Sequence, residues 1–374
     1  MAAGCGDGRD PTWTVPPRLA RIPVMVSANG IERVDYPVKV TGDWGASVRV
    51  IEVGEEDRVL DDAVPWQIDY GTTLIFLLKG HTAADQSRRY YVYRGEPVVE
   101  KKRRGQEEPV EPEQPHALVT ATDGVMHRGE QSIMVTSPAG AIYYHKNGGG
   151  LAALIDSDNR DWIGYRPGGG SAGEFRGIPN MIHPEGGLHP GAKGCESRLL
   201  SDGPLMARIH TSCYGGAWEV EWRFYPGFAR LEIQKVTHPY WVLYEGVPGG
   251  SLEPAADYWV RSDGTKQLMN QEWEGRLPAP RWVYFGDPTV DRVLFFAQSE
   301  DDGDANEFYS MEGAMAVFGF GRKLKCCEKS LDLTPAHFTL GLIASTDHGR
   351  IAAALKGILN DVIVSQSAEQ ERPY

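Results

Sequence analysis

The chain has 374 residues, of which 44 are glycine, 25 are proline and 10% are aromatic, a composition typical of many short strands joined by turns. Its 38 basic and 51 acidic residues give a formal net charge of −13, the wrong sign for gripping phosphate backbones, so nucleic acid is not an expected partner. The sequence contains no run of about 18 apolar residues, and no transmembrane segment is expected.

The first residues, MAAGCGDGRDP, contain Ala-Ala-Gly-Cys followed by a polar tether, as at the end of a bacterial lipoprotein signal. This pattern predicts an exported protein, which is periplasmic, extracellular or a lipoprotein on the cell surface. The apolar segment of such a signal is missing before the cysteine, and the alternative is a plain disordered start. Both interpretations make residues 1–20 a disordered tether.

Short alternating runs extend from Ile22 to Gly95, each rich in Val, Ile, Phe or Tyr and each ended by Gly, Asp or Pro. They predict about five to seven strands, so residues 21–98 are expected to form a small β-sandwich. Residues 99–116 carry charge and proline but almost no apolar side chain. This composition predicts a linker or a long exposed loop.

The strand pattern resumes after this linker and continues to Ser345. In AWEVEWRFYPG, residues 217–227, apolar and charged residues alternate, so one face of the strand belongs to a core and the other lies in solvent or lines a groove. The pattern predicts a large antiparallel domain over residues 117–365.

The pattern becomes helical near the C-terminus. Apolar residues recur at helical spacing after Asp347, which suits an N-cap: Ile351, Leu355, Ile358, Leu359 and Val362. We expect one short C-terminal helix that packs against a sheet edge, followed by a tail at residues 366–374. The predicted fold class is therefore all-β.

One stretch resembles a known family. In AIYYHKNGGGLAALIDSDNRDWIGY, residues 141–165, a strand is followed by a Gly-rich turn, a second strand with the pattern Gly-Leu-x-x-Leu-x-Asp, and an acidic turn. This order resembles the hairpin of galactose-mutarotase-like supersandwich domains. The resemblance implies a large two-sheet supersandwich after the small β-sandwich, a fold found in sugar epimerases, polysaccharide lyases and accessory domains of glycoside hydrolases. It implies a carbohydrate substrate and leaves the reaction open.

The segment RGIPNMIHPEGGLHPGAKG, residues 176–194, places His183, Glu185 and His189 in a Gly- and Pro-rich loop, where sites tend to be built. These ligand types suit a divalent cation, but HExxH is absent and no helix can form, so we expect no metal. The two histidines can instead act as acid and base. The alternative is that they only hydrogen-bond loop carbonyls.

The same loop contains groups that β-elimination needs. Removal of the proton beside a uronate carboxylate requires neutralisation of that carboxylate, for which Arg176 and Asn180 are candidates. His183 or His189 is the candidate base, and Tyr144 or Tyr244 the second proton carrier. We therefore predict an enzyme that cleaves an acidic poly- or oligosaccharide at a uronate, and we expect residues 174–189 to share a cleft with Tyr244 and Glu245.

A second aromatic cluster, HPYWVLYEGVPGG at residues 238–250, contains Trp241, Tyr244 and Glu245. Exposed aromatic rings stack on pyranose faces, which makes Trp241 and the earlier Trp162 candidates for substrate binding. The alternative for this strand is that Tyr240, Val242 and Tyr244 are core residues.

Two other functions remain open. A glycoside hydrolase needs paired carboxylates, and the spacing does not select two among Glu174, Glu185, Glu219, Glu221 and Glu245. A non-catalytic glycan-binding or structural module would need the aromatic residues but not the histidines. The acidic stretches IDSDNRD and SEDDGDANE are expected to be turns rather than calcium sites. The sequence has no Walker loop and no Rossmann fingerprint that begins after a predicted strand, so nucleotide chemistry lacks support.

The five cysteines lack the CxxC spacing of zinc or thioredoxin-type sites. Cys195 and Cys213 flank the turn residues Ser201–Pro204, but a tight hairpin there would place Cys195 opposite His210, out of register with Cys213. A disulfide would need a bulge, so free buried thiols are expected.

Overall fold

The computed structural model describes residues 20–45, 48–94, 117–170, 172–323 and 328–371. Most of the predicted tether at 1–20 and all of the predicted linker at 99–116 lie outside these ranges. Within them the chain is dominated by antiparallel strands and contains one α-helix of 12 residues. The expected all-β class with a short C-terminal helix is confirmed.

In chain order the elements are β1 (Ala20–Ser27), β2 (Arg33–Thr41), β3 (Val48–Val53), β4 (Val59–Asp61), β5 (Trp66–Asp69), β6 (Thr73–Thr82), β7 (Ser87–Arg94), β8 (Thr120–His127), β9 (Glu130–Ser137), β10 (Gly140–His145), β11 (Gly150–Asp156), β12 (Cys195–Asp202), β13 (Ala207–Cys213), β14 (Trp218–Phe224), β15 (Phe228–Lys235), β16 (Val242–Gly246), β17 (Tyr258–Arg261), β18 (Lys266–Leu268), β19 (Trp273–Gly275), β20 (Trp282–Gly286), β21 (Val293–Gln298), β22 (Asn306–Met311), β23 (Met315–Phe320), β24 (Arg322–Lys323), β25 (Glu328–Lys329), β26 (Ala336–Ile343), α1 (His348–Leu359), β27 (Ile363–Gln366) and β28 (Gln370–Glu371). Short 3₁₀ turns occupy Glu55–Asp57 and Pro248–Gly250.

The described residues divide into two compact units, one formed by those within 20–117 and 356–371 and the other by those within 118–355. The first unit contains a sheet ordered β27-β1-β7-β3-β4, with β28 also paired to β1, and a sheet ordered β2-β6-β5. Apolar side chains of both sheets, among them Val24, Val38, Phe76 and Val92, form one buried core. This unit is therefore a small β-sandwich.

The C-terminal segment differs from the expected tail. Ile363–Gln366 pairs with β1, with Val24 opposite Gln366, and Gln370–Glu371 pairs with the start of the same strand. Val362 and Val364 pack against the core of the first unit. An edge strand with unpaired backbone groups binds a further strand readily, which explains why this segment continues the sheet. Residues 356–371 thus belong to the first unit, not to the domain predicted at 117–365.

Both ends of α1 have identifiable caps. The predicted N-cap is confirmed, because the Asp347 carboxylate accepts a hydrogen bond from the Arg350 N–H at 2.8 Å. At the other end, the buried Arg33 side chain donates to the carbonyl oxygens of Gly357 and Asn360 and, at 3.1 Å, to that of Asp361. A guanidinium satisfies the last carbonyls of a helix and opposes the negative end of its dipole.

The second unit contains three larger antiparallel sheets. Their strand orders are β11-β10-β9-β8, then β12-β13-β14-β15-β26-β21-β20-β17-β18, and β16-β23-β22-β19. Side chains from all three, including Ile133, Trp222 and Phe318, form one continuous core. The alternation predicted for β14 is present, since Val220 and Trp222 lie in this core and Arg223 does not.

The expectation of free thiols at Cys195 and Cys213 was wrong. The two residues face each other across β12 and β13 and form a disulfide. The pairing continues to Asp202 opposite Ala207, so the turn begins later than the predicted Ser201–Pro204 turn, and the register shifts between Leu199 and Ser201. This extra residue is the bulge that the disulfide requires.

Both acidic stretches form turns. The Asp156 carboxylate accepts hydrogen bonds from the backbone N–H groups of Asp158 and Arg160, each at 2.9 Å. In the other stretch, Asp301 and Asp302 bond the backbone two residues ahead. Their carboxylates therefore stabilise the turns themselves.

Candidate functional site

The loop at residues 176–194, which contains His183 and His189, is held in place because its first part pairs with strands on both sides. The Gly177 carbonyl accepts from the Glu245 N–H at 3.0 Å, and the Pro179 carbonyl accepts from the Leu243 N–H at 2.7 Å, both in β16. On the other side, the Ile178 carbonyl accepts from the Leu151 N–H of β11 at 2.7 Å. Gly177 has a φ of +61°, and a Cβ there would lie 1.9 Å from the Leu151 oxygen, so glycine is required.

This pairing brings Arg176 onto Glu245. The Arg176 backbone N–H donates to Glu245 Oε2 at 3.1 Å, and the Arg176 Nε lies 3.3 Å from the same oxygen. The guanidinium also binds Glu174 Oε2 at 3.0 Å. Burial raises the pKa of Glu245, and the adjacent Arg176 opposes part of that increase. Residues 174–177 and Glu245 therefore lie together, and the cleft that residues 174–189 were expected to share with Tyr244 and Glu245 stays a prediction.

His183 and His189 are also neighbours. Their ring centroids are 5.6 Å apart and the rings are nearly perpendicular, at 76°. His189 Nδ1 lies 2.7 Å from the Pro190 carbonyl oxygen, which only accepts, so Nδ1 carries a hydrogen. Burial lowers the pKa of His189, although this hydrogen bond opposes the effect.

The pKa of His183 is lowered. Burial is the main cause, Arg176, His189 and Lys329 contribute, Glu185 opposes them, and together they bring the pKa to about 4. The imidazole is therefore neutral at pH 7. Glu185, one of the three candidate metal ligands, binds Lys329 Nζ at 2.6 Å. Among the described residues there is no group of three or more His, Cys, Asp or Glu placed to hold a metal ion.

Trp241 lies beneath the loop rather than on an open surface. Its indole Nε1 donates to the Asn180 carbonyl at 2.5 Å, and only 2% of the residue is exposed. Lys329 Nζ and the Arg322 guanidinium lie 4.6 and 5.3 Å from the ring centroid. Cation–π contacts therefore occupy the ring that was a candidate for sugar stacking. Asn180 is fully buried, and its side-chain amide has no hydrogen-bond partner in the described part of the chain.

A second buried ion pair joins Arg322 of β24 to Glu307 of β22, and the sequence did not predict it. Arg322 Nε is 3.3 Å from Glu307 Oε2, and the guanidinium lies 4.4 Å from the Tyr309 ring centroid. Tyr309 is opposite Val317 in β23, and Val317 is opposite Glu245 in β16, so Tyr309 and Glu245 share one row of the sheet. The alternation in NEFYSM, residues 306–311, is the signal that places Glu307 and Tyr309 on one face.

Three predicted site residues lie in the core. Tyr144, Trp162 and Tyr244 have no exposed surface. Tyr144 bonds Thr211 Oγ1 at 2.6 Å, Trp162 Nε1 donates to Asp156 at 3.1 Å, and the Tyr244 hydroxyl donates to the Trp162 carbonyl at 2.6 Å. Burial raises the pKa of Tyr244 well above its ordinary value. In this structure a substrate does not reach these three side chains, and the core alternative describes Tyr244.

The five candidate carboxylates for hydrolysis occupy three places. Glu174 and Glu245 share Arg176, and Glu185 binds Lys329. Glu219 and Glu221 lie on β14 in the nine-stranded sheet, where Glu221 is directly opposite Glu232 and binds Arg223 at 2.5 Å. Of these five, only Glu174 and Glu245 bind the same side chain, that of Arg176.

The cluster formed by Arg176, His183, His189, Glu245 and Lys329, hereafter the His183 cluster, combines three kinds of chemical group. It has neutral imidazoles, which can accept a proton, and cations, which can bind a carboxylate. It also has a buried carboxyl whose pKa is raised. Such a set is suited to proton transfer at an anionic ligand.

No helix in the described part of the chain is long and apolar enough to cross a membrane. No protein-family model and no curated protein sequence matches the chain. Among solved structures, the chain is similar to a glycosyl hydrolase family 38 protein from Enterococcus faecalis, with 9% identity, a TM-score of 0.46, and coverage of 93% of this chain and 47% of that one. It is also similar to active YidC insertase, with 11% identity, a TM-score of 0.34, and coverage of 63% of this chain and 44% of that one. The chain thus spans less than half the length of either structure.

Proposed function

We propose that the protein cleaves an acidic poly- or oligosaccharide by β-elimination beside a uronate, and that the reaction takes place at the His183 cluster. One observation carries the proposal: His183 packs against His189 in the loop whose Arg176 binds Glu245, and the charges of Arg176 and Lys329 help to keep the His183 imidazole neutral. β-Elimination needs a neutral base beside groups that neutralise a carboxylate. If the histidines only braced the loop, cations near them would not be needed.

The proposed step runs as follows. Arg176 and Lys329 bind the uronate carboxylate, which makes the proton on the adjacent ring carbon more acidic. The His183 imidazole takes that proton, the C–H electron pair becomes the new C=C bond, and the bond to the glycosidic oxygen breaks with its electron pair on the oxygen. The imidazolium then returns the proton to the leaving oxygen, so the base is regenerated.

The same cations tune the base. Because Arg176 and Lys329 contribute to the low pKa of His183, a bound carboxylate that offsets their charge raises this pKa from about 4 towards neutrality. His183 thereby becomes a stronger base when substrate is present. Glu245 holds Arg176 in place and is a positioning residue in this scheme, and Tyr244 has no part in it.

Hydrolysis is the second candidate, because Glu174 and Glu245 bind the same guanidinium and the pKa of Glu245 is raised by burial. Glycosidases use two carboxylates, one of which is kept protonated. His183 is partly exposed whereas Glu245 is only 3% exposed, which favours a reaction with His183 as the base. A glycan-binding module without catalysis is the rival from another class.

Incubation with a panel of uronate-containing glycans, followed by ultraviolet absorbance of the unsaturated product, tests the proposal. We expect the chromophore with wild type and its loss with His183→Ala. His348→Ala is the matched control, because His348 contacts Trp282 and Tyr284 instead of the loop. Reducing ends without the chromophore would replace elimination by hydrolysis. Binding without any product would leave a binding module.

We also propose that the protein is exported. The Cys195–Cys213 disulfide supports this, since disulfides persist in oxidising compartments and are rare in the cytosol. Fractionation of cells expressing the full chain, with trapping of free thiols on lysis, tests it: recovery in the cytoplasmic fraction with both cysteines reduced would contradict export.

A further inference from the structure

A polar cavity lies in the second unit. It has a volume of about 430 Å³ and is lined by residues from the end of β17, from the segment between β19 and β20, and from the turn after β21. β19 belongs to the four-stranded sheet and β20 to the nine-stranded sheet, so residues 276–281 cross between the two sheets. This irregular crossing provides the cavity wall.

The charged residues of the lining are Arg261, Asp263, Arg276, Arg281 and Asp301. The lining has three guanidinium groups and two carboxylates, and the carboxylate of Asp302, which lies 3.0 Å from Arg281 Nη1, balances the third guanidinium. The lining itself therefore presents more guanidinium groups than carboxylates to a ligand.

Asp301 joins two of these arginines. Its Oδ2 accepts from Arg276 Nη2 at 2.5 Å, and its Oδ1 accepts from Arg281 Nη1 at 2.6 Å. The side chains of Asp301 and Arg276 are 55% and 57% exposed, so this pair contributes little and a ligand carboxylate can compete for Arg276. Arg281 is held more firmly, since it is 4% exposed and also lies 3.0 Å from Asp302, which does not line the cavity.

Hydrogen-bonding capacity remains on two of the arginines. Arg281 Nε and Nη2 and Arg261 Nε are buried and have no hydrogen-bond partner among the residues that the structure describes. Unmet donors on a buried guanidinium are costly, which favours a ligand that supplies acceptors after small side-chain shifts. The Arg261 guanidinium lies 5.1 Å from the Trp273 ring centroid, a contact that holds it in place.

We propose that this cavity binds a sugar acid, as one uronate residue of a glycan. A guanidinium fork matches a carboxylate, and the unmet donors of Arg281 and Arg261 are of this kind. Asp263 and Asp301 can accept hydrogen bonds from sugar hydroxyls, and a simple inorganic anion does not supply such hydroxyls. The volume lies in the ordinary range for small-molecule sites, roughly 300–1,000 Å³. The inference is independent of the reaction proposed at His183.

Calorimetric titration with free glucuronate tests it, because this probe has no glycosidic bond to cleave. We expect glucuronate to bind wild type at least tenfold more tightly than glucose or inorganic sulfate, and at least tenfold more tightly than it binds Arg276→Gln or Arg261→Gln. The matched control is Arg160→Gln, since Arg160 is also a partly exposed arginine paired with an aspartate, Asp158, at 2.6 Å. Its affinity for glucuronate should equal that of wild type.

Three results would overturn the proposal: no binding of glucuronate, equal affinity for glucose, or wild-type affinity in both cavity variants. Sulfate binding as tightly as glucuronate would instead show a simple anion site and overturn the sugar-acid assignment. Because the His183 cluster is also proposed to bind a uronate carboxylate, the cavity is identified by the part of the glucuronate binding that Arg276→Gln and Arg261→Gln remove. Those two variants should keep the cleavage activity proposed at the His183 cluster, so the two proposals fail separately.

Discussion

Arg176 binds one carboxylate oxygen of Glu245 twice, through its backbone N–H and through its guanidinium. The backbone contact depends on strand pairing between the loop and β16, and the side-chain contact depends on burial of both groups, which are 5% and 3% exposed. The position of the loop and the charge balance at Arg176 therefore both depend on this one oxygen atom of Glu245. A change at Glu245 should alter both together.

Glu245→Leu removes the acceptor and leaves Arg176 buried with Glu174 as its remaining partner. We expect a loss of about 3 kcal/mol of unfolding free energy, the usual cost of stranding a buried charge. Glu245→Gln keeps an oxygen for the Arg176 N–H and should cost about 1 kcal/mol. Denaturant unfolding of both variants measures the difference. Equal losses would show that the Arg176 contacts do not stabilise the loop.

The pH dependence of this pair has a definite sign. Burial raises the pKa of Glu245 above its ordinary 4.5, so the folded chain holds this proton at pH values where the unfolded chain has released it. Stability from this group is therefore lost as pH rises above 4.5. The stability difference between wild type and Glu245→Gln should shift in favour of the variant over that range. A difference that is constant with pH would contradict the raised pKa.

The buried histidines His145 and His183 should make stability change with pH in the opposite direction. Burial lowers the pKa of His145 to about 4, as it does for His183, against an ordinary value of 6.5. Between pH 6.5 and 4 the unfolded chain binds protons that the folded chain does not, so stability should fall as pH falls through that window. His145→Gln should weaken this fall in melting temperature. His348→Gln is the control and should preserve it.

His145 connects this acid sensitivity to the site. Its Nδ1 accepts from the Gly191 N–H at 3.3 Å, and its Nε2 lies 3.1 Å from His127 Nδ1. Protonation of Nδ1 removes the acceptor that the loop uses. Acid should therefore increase amide exchange around Gly191 before the sheet opens, which hydrogen-exchange mass spectrometry can detect. Simultaneous exchange of loop and sheet would show that His145 does not govern the loop.

The strands could be predicted from sequence because their signal is local. A period of two in AWEVEWRFYPG is sufficient to assign β14 and its core face, and Asp347 sits where a helix start is expected. The cysteine pairing depended on where the turn begins and on a single extra residue near Leu199. Alternation reveals neither, because it gives the faces of a strand but not its register with a partner. A local signal thus gives elements but not register.

The site was predictable only in part. Arg176 and the histidines lie in one loop, so their proximity follows from the sequence. The contact between Arg322 and Glu307 depends on how β16, β22 and β23 pair with one another. The periodicity of a sequence shows which face a residue is on but not how strands pair. Aromatic residues on a strand suit either a core or a groove, and for Tyr244 both faces of the strand turned out to be covered.

Reduction of the Cys195–Cys213 disulfide should destabilise the second unit. The bond closes a loop with a sequence separation of 18, for which the loss of loop-closure entropy on reduction corresponds to about 3 kcal/mol. We expect the guanidinium midpoint of wild type to fall when a phosphine reductant is added. The Cys195→Ala/Cys213→Ala double variant should start at that lower midpoint and not respond to reductant. A response in the double variant would assign the effect elsewhere.

The last prediction concerns Arg33, which is 1% exposed and donates to main-chain carbonyls of Ala28, Gly357, Asn360 and Asp361. Arg33→Met keeps the length of the side chain but removes every donor, so these carbonyls lose a partner in a buried setting. We expect the first unit to lose about 3 kcal/mol, because each unsatisfied buried polar group costs roughly 1–3 kcal/mol. Hydrogen-exchange mass spectrometry should show faster exchange in β1 and β27, and unchanged exchange in β14. Arg58→Met replaces an exposed arginine of the same unit and should change stability by no more than about 0.5 kcal/mol. Equal effects of the two substitutions would mean that the Arg33 contacts do not hold the C-terminal segment in the first sheet.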